Sequence, residues 1–241
     1  MAVHVMHGLD TCSGAANGGH LAVLEYAHEN GCPWNEITCS NAASKGRLDI
    51  LQYAHNNGCP WDEDTCKCAA ENGYLGMLQF AHENDCPWDN STCEEAAKYG
   101  HLDVLKYAYE NGCSLNSSAC EEAAENGQLE ILKFLHESDC PWDGNTCFFA
   151  AECGHLEILR YAHEHGCPWN EETCYAAAAA GHLQILKYAH ENMCPWDERS
   201  CQWAAMNGHI EVLKYARENG CPWSKETSRI AACLGYSEDP S

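Results

Sequence analysis

Nine glycines, at positions 19, 46, 73, 100, 127, 154, 181, 208 and 235, stand 27 residues apart. A single recurring period of this kind marks a tandem array, in which each unit is one supersecondary element that buries its apolar face only against its neighbours. The chain of 241 residues therefore has no single central core to be counted as a domain. It reads as a worn N-terminal cap over 1–10, eight units over 11–226, and a partial ninth unit with a tail over 227–241. Val5 and His7 fall where later units carry cysteine and tryptophan.

Within one unit the residues specify two helices. The first segment, as in Glu171 to Ala180, is rich in alanine, the best helix former. It follows Asn35, Asp62, Asp89, Asn116, Asp143, Asn170, Asp197 or Ser224, all residue types that cap free backbone N–H groups. The period glycine ends it, where the chain turns through a left-handed conformation. The second segment repeats apolar residues at helical spacing, with Leu102, Val104, Leu105 and Ala108 in one unit and Leu129, Ile131, Leu132 and Leu135 in the next. Glu130, Lys133 and Glu137 form a solvated opposite face. A Cys-Pro-Trp loop stops this helix, because proline cannot continue it and holds its predecessor extended. The sequence thus predicts an all-α solenoid of stacked helix-turn-helix units, with each loop tryptophan wedged between adjacent units.

Thirty-six acidic against 13 basic side chains give a formal charge of −23, which repels nucleic acid and anionic lipid. No stretch reaches the roughly 20 apolar residues that span a bilayer, and Met1 to Asp10 lacks the pattern of a secretory leader. The expectation is a cytoplasmic protein that binds neither membrane nor nucleic acid. Nineteen cysteines have to be fitted to that expectation. Most fall at two places per unit, with Cys32 seven residues before Cys39, Cys167 before Cys174 and Cys194 before Cys201. Buried reduced thiols, disulfides and metal ligation are all open. Val5 and Ser228 stand at two of the equivalent positions and neither bridges nor ligates, which favours small buried thiols. The run His28-x-x-x-Cys32-x6-Cys39 supplies one imidazole and two thiolates of the kind zinc accepts. A histidine in the last turn of a helix also serves the terminal carbonyls and the dipole.

The run Asn207-Gly208-His209-Ile210-Glu211-Val212-Leu213-Lys214, preceded by Ala204-Ala205, resembles the middle of an ankyrin repeat, and the resemblance extends over residues 11–235. It places Gly220 on the ankyrin helix-end glycine, Cys221 on the alanine that follows it and Trp223 on a buried aliphatic position. The unit is six residues shorter than the ankyrin repeat of about 33 residues, roughly the length of the projecting hairpin, and the Thr-Pro-Leu-His signature is missing. The chain is thus similar to a short ankyrin variant without β-hairpin fingers. The resemblance implies a non-enzymatic scaffold that binds other proteins, with first helices lining the concave face.

No nucleotide-binding loop, nucleophile elbow or zinc-protease helix is present, and chemistry repeated in every unit is unlike a single catalytic constellation. We expect no enzyme and no cofactor or bound metal, with a metal- or thiol-handling repeat protein as the alternative. The partner-binding surface is expected at the third and fourth positions of the first helices counted from the threonine, which vary most: Glu94-Glu95, Glu121-Glu122, Phe148-Phe149, Tyr175 and Trp203. A passage from carboxylates to aromatics suits a protein partner with a basic and an apolar segment. Ile230, Leu234 and Tyr236 would be left partly uncovered in the partial ninth unit, which predicts either a piece of a longer array or an end-on contact with another chain, self-association among them.

Overall fold

The structure, a computed structural model, describes residues 9–235, with side chains from Thr11 onward. Residues 1–8 of the expected cap, and Tyr236, lie outside the described residues. The chain divides into two compact units, Met1–Leu115 and Asn116–Ser241. All regular structure among the described residues is helical.

In the first unit the first helices of successive repeats are α1 (Leu9–Asn17), α3 (Glu36–Ser44), α5 (Glu63–Glu71) and α7 (Asn90–Tyr99). The second helices are α2 (Leu21–Glu29), α4 (Leu48–Asn56), α6 (Leu75–Glu83) and α8 (Leu102–Glu110). In the second unit the first helices are α9 (Ser117–Glu125), α11 (Gly144–Glu152), α13 (Glu171–Ala180), α15 (Glu198–Met206) and α17 (Lys225–Cys233). Their second helices are α10 (Leu129–Glu137), α12 (Leu156–Glu164), α14 (Leu183–Glu191) and α16 (Ile210–Glu218). Within each unit, helices pair in order and each pair stacks on the next. First helices approach one another closely along their length, whereas second helices meet only at a few places.

The difference follows from side-chain size. First helices bury a threonine or small equivalent, a cysteine and two alanines per repeat, as in Thr146, Cys147, Ala150 and Ala151, all fully covered. Second helices bury bulkier residues, Ile131, Leu132 and Leu135 in α10 and Ile158 and Leu159 in α12. Side chains of that volume hold backbones apart. The apolar stripe read from the sequence is therefore correct, with Leu102 and Leu129 only half-buried at its edge.

Caps behave as their residue types require, with two exceptions. Asp89, Asn116, Asp143, Asn170, Asp197 and Ser224 each accept a bond from a first-turn N–H through the side chain. Asn35 and Asp62 take the extended cap backbone without a side-chain bond, a departure from the uniform capping expected. The residue before each second helix forms no side-chain cap, and Arg47, His101, His155, His182 and His209 bond back instead to a carbonyl of the preceding repeat. His182 Nε2 donates to Glu152 O at 3.0 Å, and His155 Nε2 to Glu125 O at 3.0 Å. The period glycine makes room for this ring. Gly154 has φ +87°, and a Cβ there would come 2.9 Å from His182 Cε1.

The loop tryptophans bridge repeats as expected, but half-buried, not at the buried aliphatic position that the resemblance implied. Trp169 stacks on His163 with centroids 3.8 Å apart and meets Tyr188 of the following repeat edge-on at 6.2 Å. The same triad recurs as His28–Trp34–Tyr53 and His136–Trp142–Tyr161. The last-turn histidine therefore spends its ring on tryptophan, not on the helix carbonyls. Trp169→Ala is expected to cost about 3 kcal/mol, the low end for removing a large aromatic, measured by chemical denaturation; an unchanged midpoint contradicts the bridging role.

The buried hydroxyls of Thr38, Thr65, Thr92, Thr146, Thr173 and Ser200 have no hydrogen-bond partner of standard geometry. A hydroxyl buried unpaired is costly to keep, so an isosteric methyl should be tolerated or preferred. Thr92→Val should leave stability unchanged or raise it by up to about 1 kcal/mol, and a loss larger than that would show the hydroxyl to be paired.

Candidate functional site

First helices have a fixed register. Their first, second, fifth and sixth positions from the threonine point into the stack, and the third and fourth lie at its surface, fully or partly solvated in nearly every repeat. Ala176 is the exception, buried in α13. The structure thus places the expected site residues on the outer side of the closely packed helix row in each unit.

In the first unit Glu94 and Glu95 are half-buried on α7. Glu94 Oε1 accepts a bond from Asn90 Nδ2 at 2.7 Å, and Glu95 Oε1 lies 3.5 Å from Lys67 Nζ of the preceding first helix. One carboxylate of this pair is partly neutralised within the protein. In the second unit Glu121 accepts from Asn145 Nδ2 of the next first helix at 3.3 Å. Glu122 Oε2 lies 3.4 Å from Asn126 Nδ2.

The aromatic side chains are all in the second unit, on three successive first helices. Phe148 and Phe149 on α11 meet edge-on, with centroids 5.3 Å apart. Tyr175 on α13 meets Trp203 on α15 edge-on at 6.1 Å, the offset geometry that aromatic pairs prefer. Arg199 lies over the Tyr175 ring at 5.6 Å and is held from behind by Asp197 Oδ2 at 2.8 Å. Trp203 is 36% exposed and Met206, one turn further along α15, is 51% exposed. Met206 and Arg199 belong to this surface and escaped the sequence reading, which followed only the third and fourth positions. The position of Met206 carries Glu125, Glu152 and Ala179 in the preceding repeats of the unit, so a methionine there was itself a visible signal.

Apart from Cys68, which stands half-buried at the fourth position of α5, the paired cysteines lie inside the stack, and all nineteen are free thiols. Their contacts run between residues 20 apart, not the seven suggested by the spacing along the chain. The cysteine that follows the threonine, or the residue in its place, in a first helix faces the loop cysteine of its own repeat, as Cys39 faces Cys59, Cys120 faces Cys140 and Cys201 (after Ser200) faces Cys221. The loop thiol also donates to the carbonyl of the cap residue that begins the repeat, Cys140 Sγ to Asn116 O at 3.2 Å and Cys167 Sγ to Asp143 O at 3.2 Å. A cysteine here closes its repeat with a weak donor that alanine lacks. The bond between the two thiols, then burial, pushes Cys59, Cys120 and Cys201 upward. At Cys12 burial leads, with Cys32 adding to it, and the thiol is pushed up to about 12. Among the described residues no three His, Cys, Asp or Glu side chains converge as they must to hold a zinc ion.

Thiol reactivity should follow exposure. Alkylation of the folded protein is expected to label Cys153 and Cys233, which are exposed, well before the buried pairs. Rapid native labelling of Cys147 or Cys174 would contradict the packing described.

Comparison with known proteins matches residues 120–194 to ankyrin repeats in three copies, and residues 93–136 and 174–217 to ankyrin repeats in many copies. Together these matches run from 93 to 217, more than half of the chain. Residues 60–69 match a CXCXC repeat; its Cys66 is buried against Cys86, and its Cys68 is half-buried and pushed up to about 11, chiefly by burial. No curated protein matches the chain.

Proposed function

We propose, for a chain that belongs to the ankyrin-repeat family, that it is a protein-binding scaffold whose partner docks on the outer side of the first helices. Ankyrin-repeat proteins are generally non-enzymatic binding scaffolds. Among the described residues no helix is long and apolar enough to cross a membrane. The formal charge of −23 disfavours nucleic acid and favours a partner with a basic segment. A cytoplasmic setting accords with nineteen unbridged cysteines.

One observation carries the choice of face. Repeat symmetry fixes almost every buried position, and the second unit departs from it by putting Phe148, Phe149, Tyr175 and Trp203 at surface positions of three neighbouring first helices. Aromatic residues and methionine at such positions are what the centres of interfaces are enriched in. Glu121 and Glu122 on α9 supply the acidic flank for the partner's basic segment, and in the first unit Glu94 and Glu95 offer the same chemistry. For the apolar segment the support is the exposed ring of Trp203 with Met206 beside it.

Self-association through the C-terminal repeat is a weaker, separate proposal. Leu234 is 43% exposed just after α17, and Ile230 is half-buried on it. Light scattering at rising concentration tests this, with a constant monomer mass arguing against it.

For the main proposal, a partner isolated on the wild-type chain should dissociate at least tenfold faster from Phe149→Ala with Trp203→Ala, in line with loss of central anchors. Glu121→Lys with Glu122→Lys should instead slow association and flatten its salt dependence. Both are read by surface plasmon resonance on variants whose circular dichroism matches wild type. Wild-type kinetics in both would place the site elsewhere.

A further inference from the structure

The connection that follows each second helix carries a second departure from repeat symmetry, independent of the first-helix face. The residue before the loop cysteine always has positive φ, and it is glycine at 31, 58, 112, 166 and 220. Three repeats depart from glycine, with Asp85, Asp139 and Met193 at φ 63°, 55° and 64°. Aspartate enters the left-handed region with some ease, because its short polar side chain bonds to the nearby backbone. Methionine has no such compensation. Met193 is also 90% exposed, so one residue combines an unfavourable backbone with an unfavourable hydrophobic exposure. Strain retained at a surface position points towards function.

The surroundings of Met193 supply the rest. It lines an open groove of about 710 Å³ whose walls are His190, Pro195, Trp196 and Tyr215, with Glu191 and Asn219 also lining it. His190 stacks on Trp196 at 4.0 Å, and Tyr215 stands edge-on to both, so the walls are fixed before any ligand arrives. Burial first, and then the charge of Glu191, raises the Tyr215 hydroxyl above its ordinary value, and Glu191 makes no ion pair with a cation of the chain among the described residues. Exposed Glu164 and Glu218 end the neighbouring second helices α12 and α16. Rings along this edge already receive cations: Arg217 lies 5.1 Å over Trp223, Arg160 lies 5.2 Å over Tyr188 and Lys187 lies 5.5 Å over Tyr215. Arg217 occupies the position that histidine holds in the preceding repeats of the unit. A guanidinium stacked on a loop tryptophan is thus a packing this edge is built to accept.

We propose that the Met193 groove is a second docking site, for a short peptide segment in which a lysine or arginine has an apolar neighbour. The cation lies against the aromatic wall and pairs with Glu191, and the apolar neighbour covers the Met193 thioether. Binding then recovers the exposure of Met193, which glycine at this position would never have incurred.

The test is selection of a phage-displayed random dodecapeptide library on the immobilised full chain, with counter-selection on Met193→Gly. Enriched peptides should carry a lysine or arginine within three residues of a large apolar residue. They should bind Met193→Gly and Glu191→Gln at least tenfold more weakly than wild type, and Phe149→Ala with Trp203→Ala as well as wild type. Met193→Gly should melt a few degrees higher than wild type, since glycine relieves the backbone, so that weaker binding is not weaker folding. The proposal is overturned if counter-selection leaves no enriched peptide, if the enriched peptides lack a basic residue, or if they bind Glu191→Gln as tightly as wild type.

Discussion

Close approach of successive first helices is the constraint on which the rest of each unit depends. It is possible because the facing positions hold threonine, cysteine and alanine, with nothing larger along the seam. A leucine in place of Ala150 or Ala177 would have to be accommodated by separating two backbones, and every contact built on their spacing would change with it. The imidazole of His182 over Gly154 and the ring of Trp169 between His163 and Tyr188 both span that spacing. Each ties one part of the array to another at a fixed offset along the chain, which is why the 27-residue period tolerates so little insertion or deletion.

A seam of small residues also divides the labour between positions. Buried sites accept almost no variation in volume, whereas the third and fourth positions of the same helices meet solvent and accept glutamate, phenylalanine, tyrosine or tryptophan without disturbing the stack. Those positions are consequently free to change repeat by repeat while the scaffold does not. Phe148 and Phe149 beside Ala150 and Ala151 show both regimes within four consecutive residues. Met193 shows the same freedom on the loop edge, where a residue that favours neither its backbone conformation nor its exposure is carried by an otherwise unaltered repeat.

Period, helix pairs, stop signals and the exposed register were all legible in the sequence, because each rests on local chemistry repeated many times. Asp197 caps α15 and Gly181 ends α13 as their residue types demand. Contacts that depend on how repeats stack were not legible. Cys32 and Cys39 are neighbours along the chain, yet the thiols that meet are those of Cys39 and Cys59, because the loop returns to the beginning of its own repeat. His163 was readable as a dipole partner and as a metal ligand, and the tryptophan six residues on takes its ring instead. Asn35 and Asp62 have the right side chains for caps and do not use them. Met206 and Met193 are departures from the pattern visible in the sequence, but their meaning needs the exposure and the groove that only the fold supplies.

The central claim, that recognition runs along the first helices of the second unit, is tested most directly by site-specific photo-crosslinking. A benzophenone side chain is placed in turn at Phe149, at Trp203 and, on the second-helix face, at Arg160. The account predicts that one and the same partner protein is captured in high yield from positions 149 and 203 and not from 160. Capture from 160 with none from 149 or 203, in protein that melts like wild type, would contradict it.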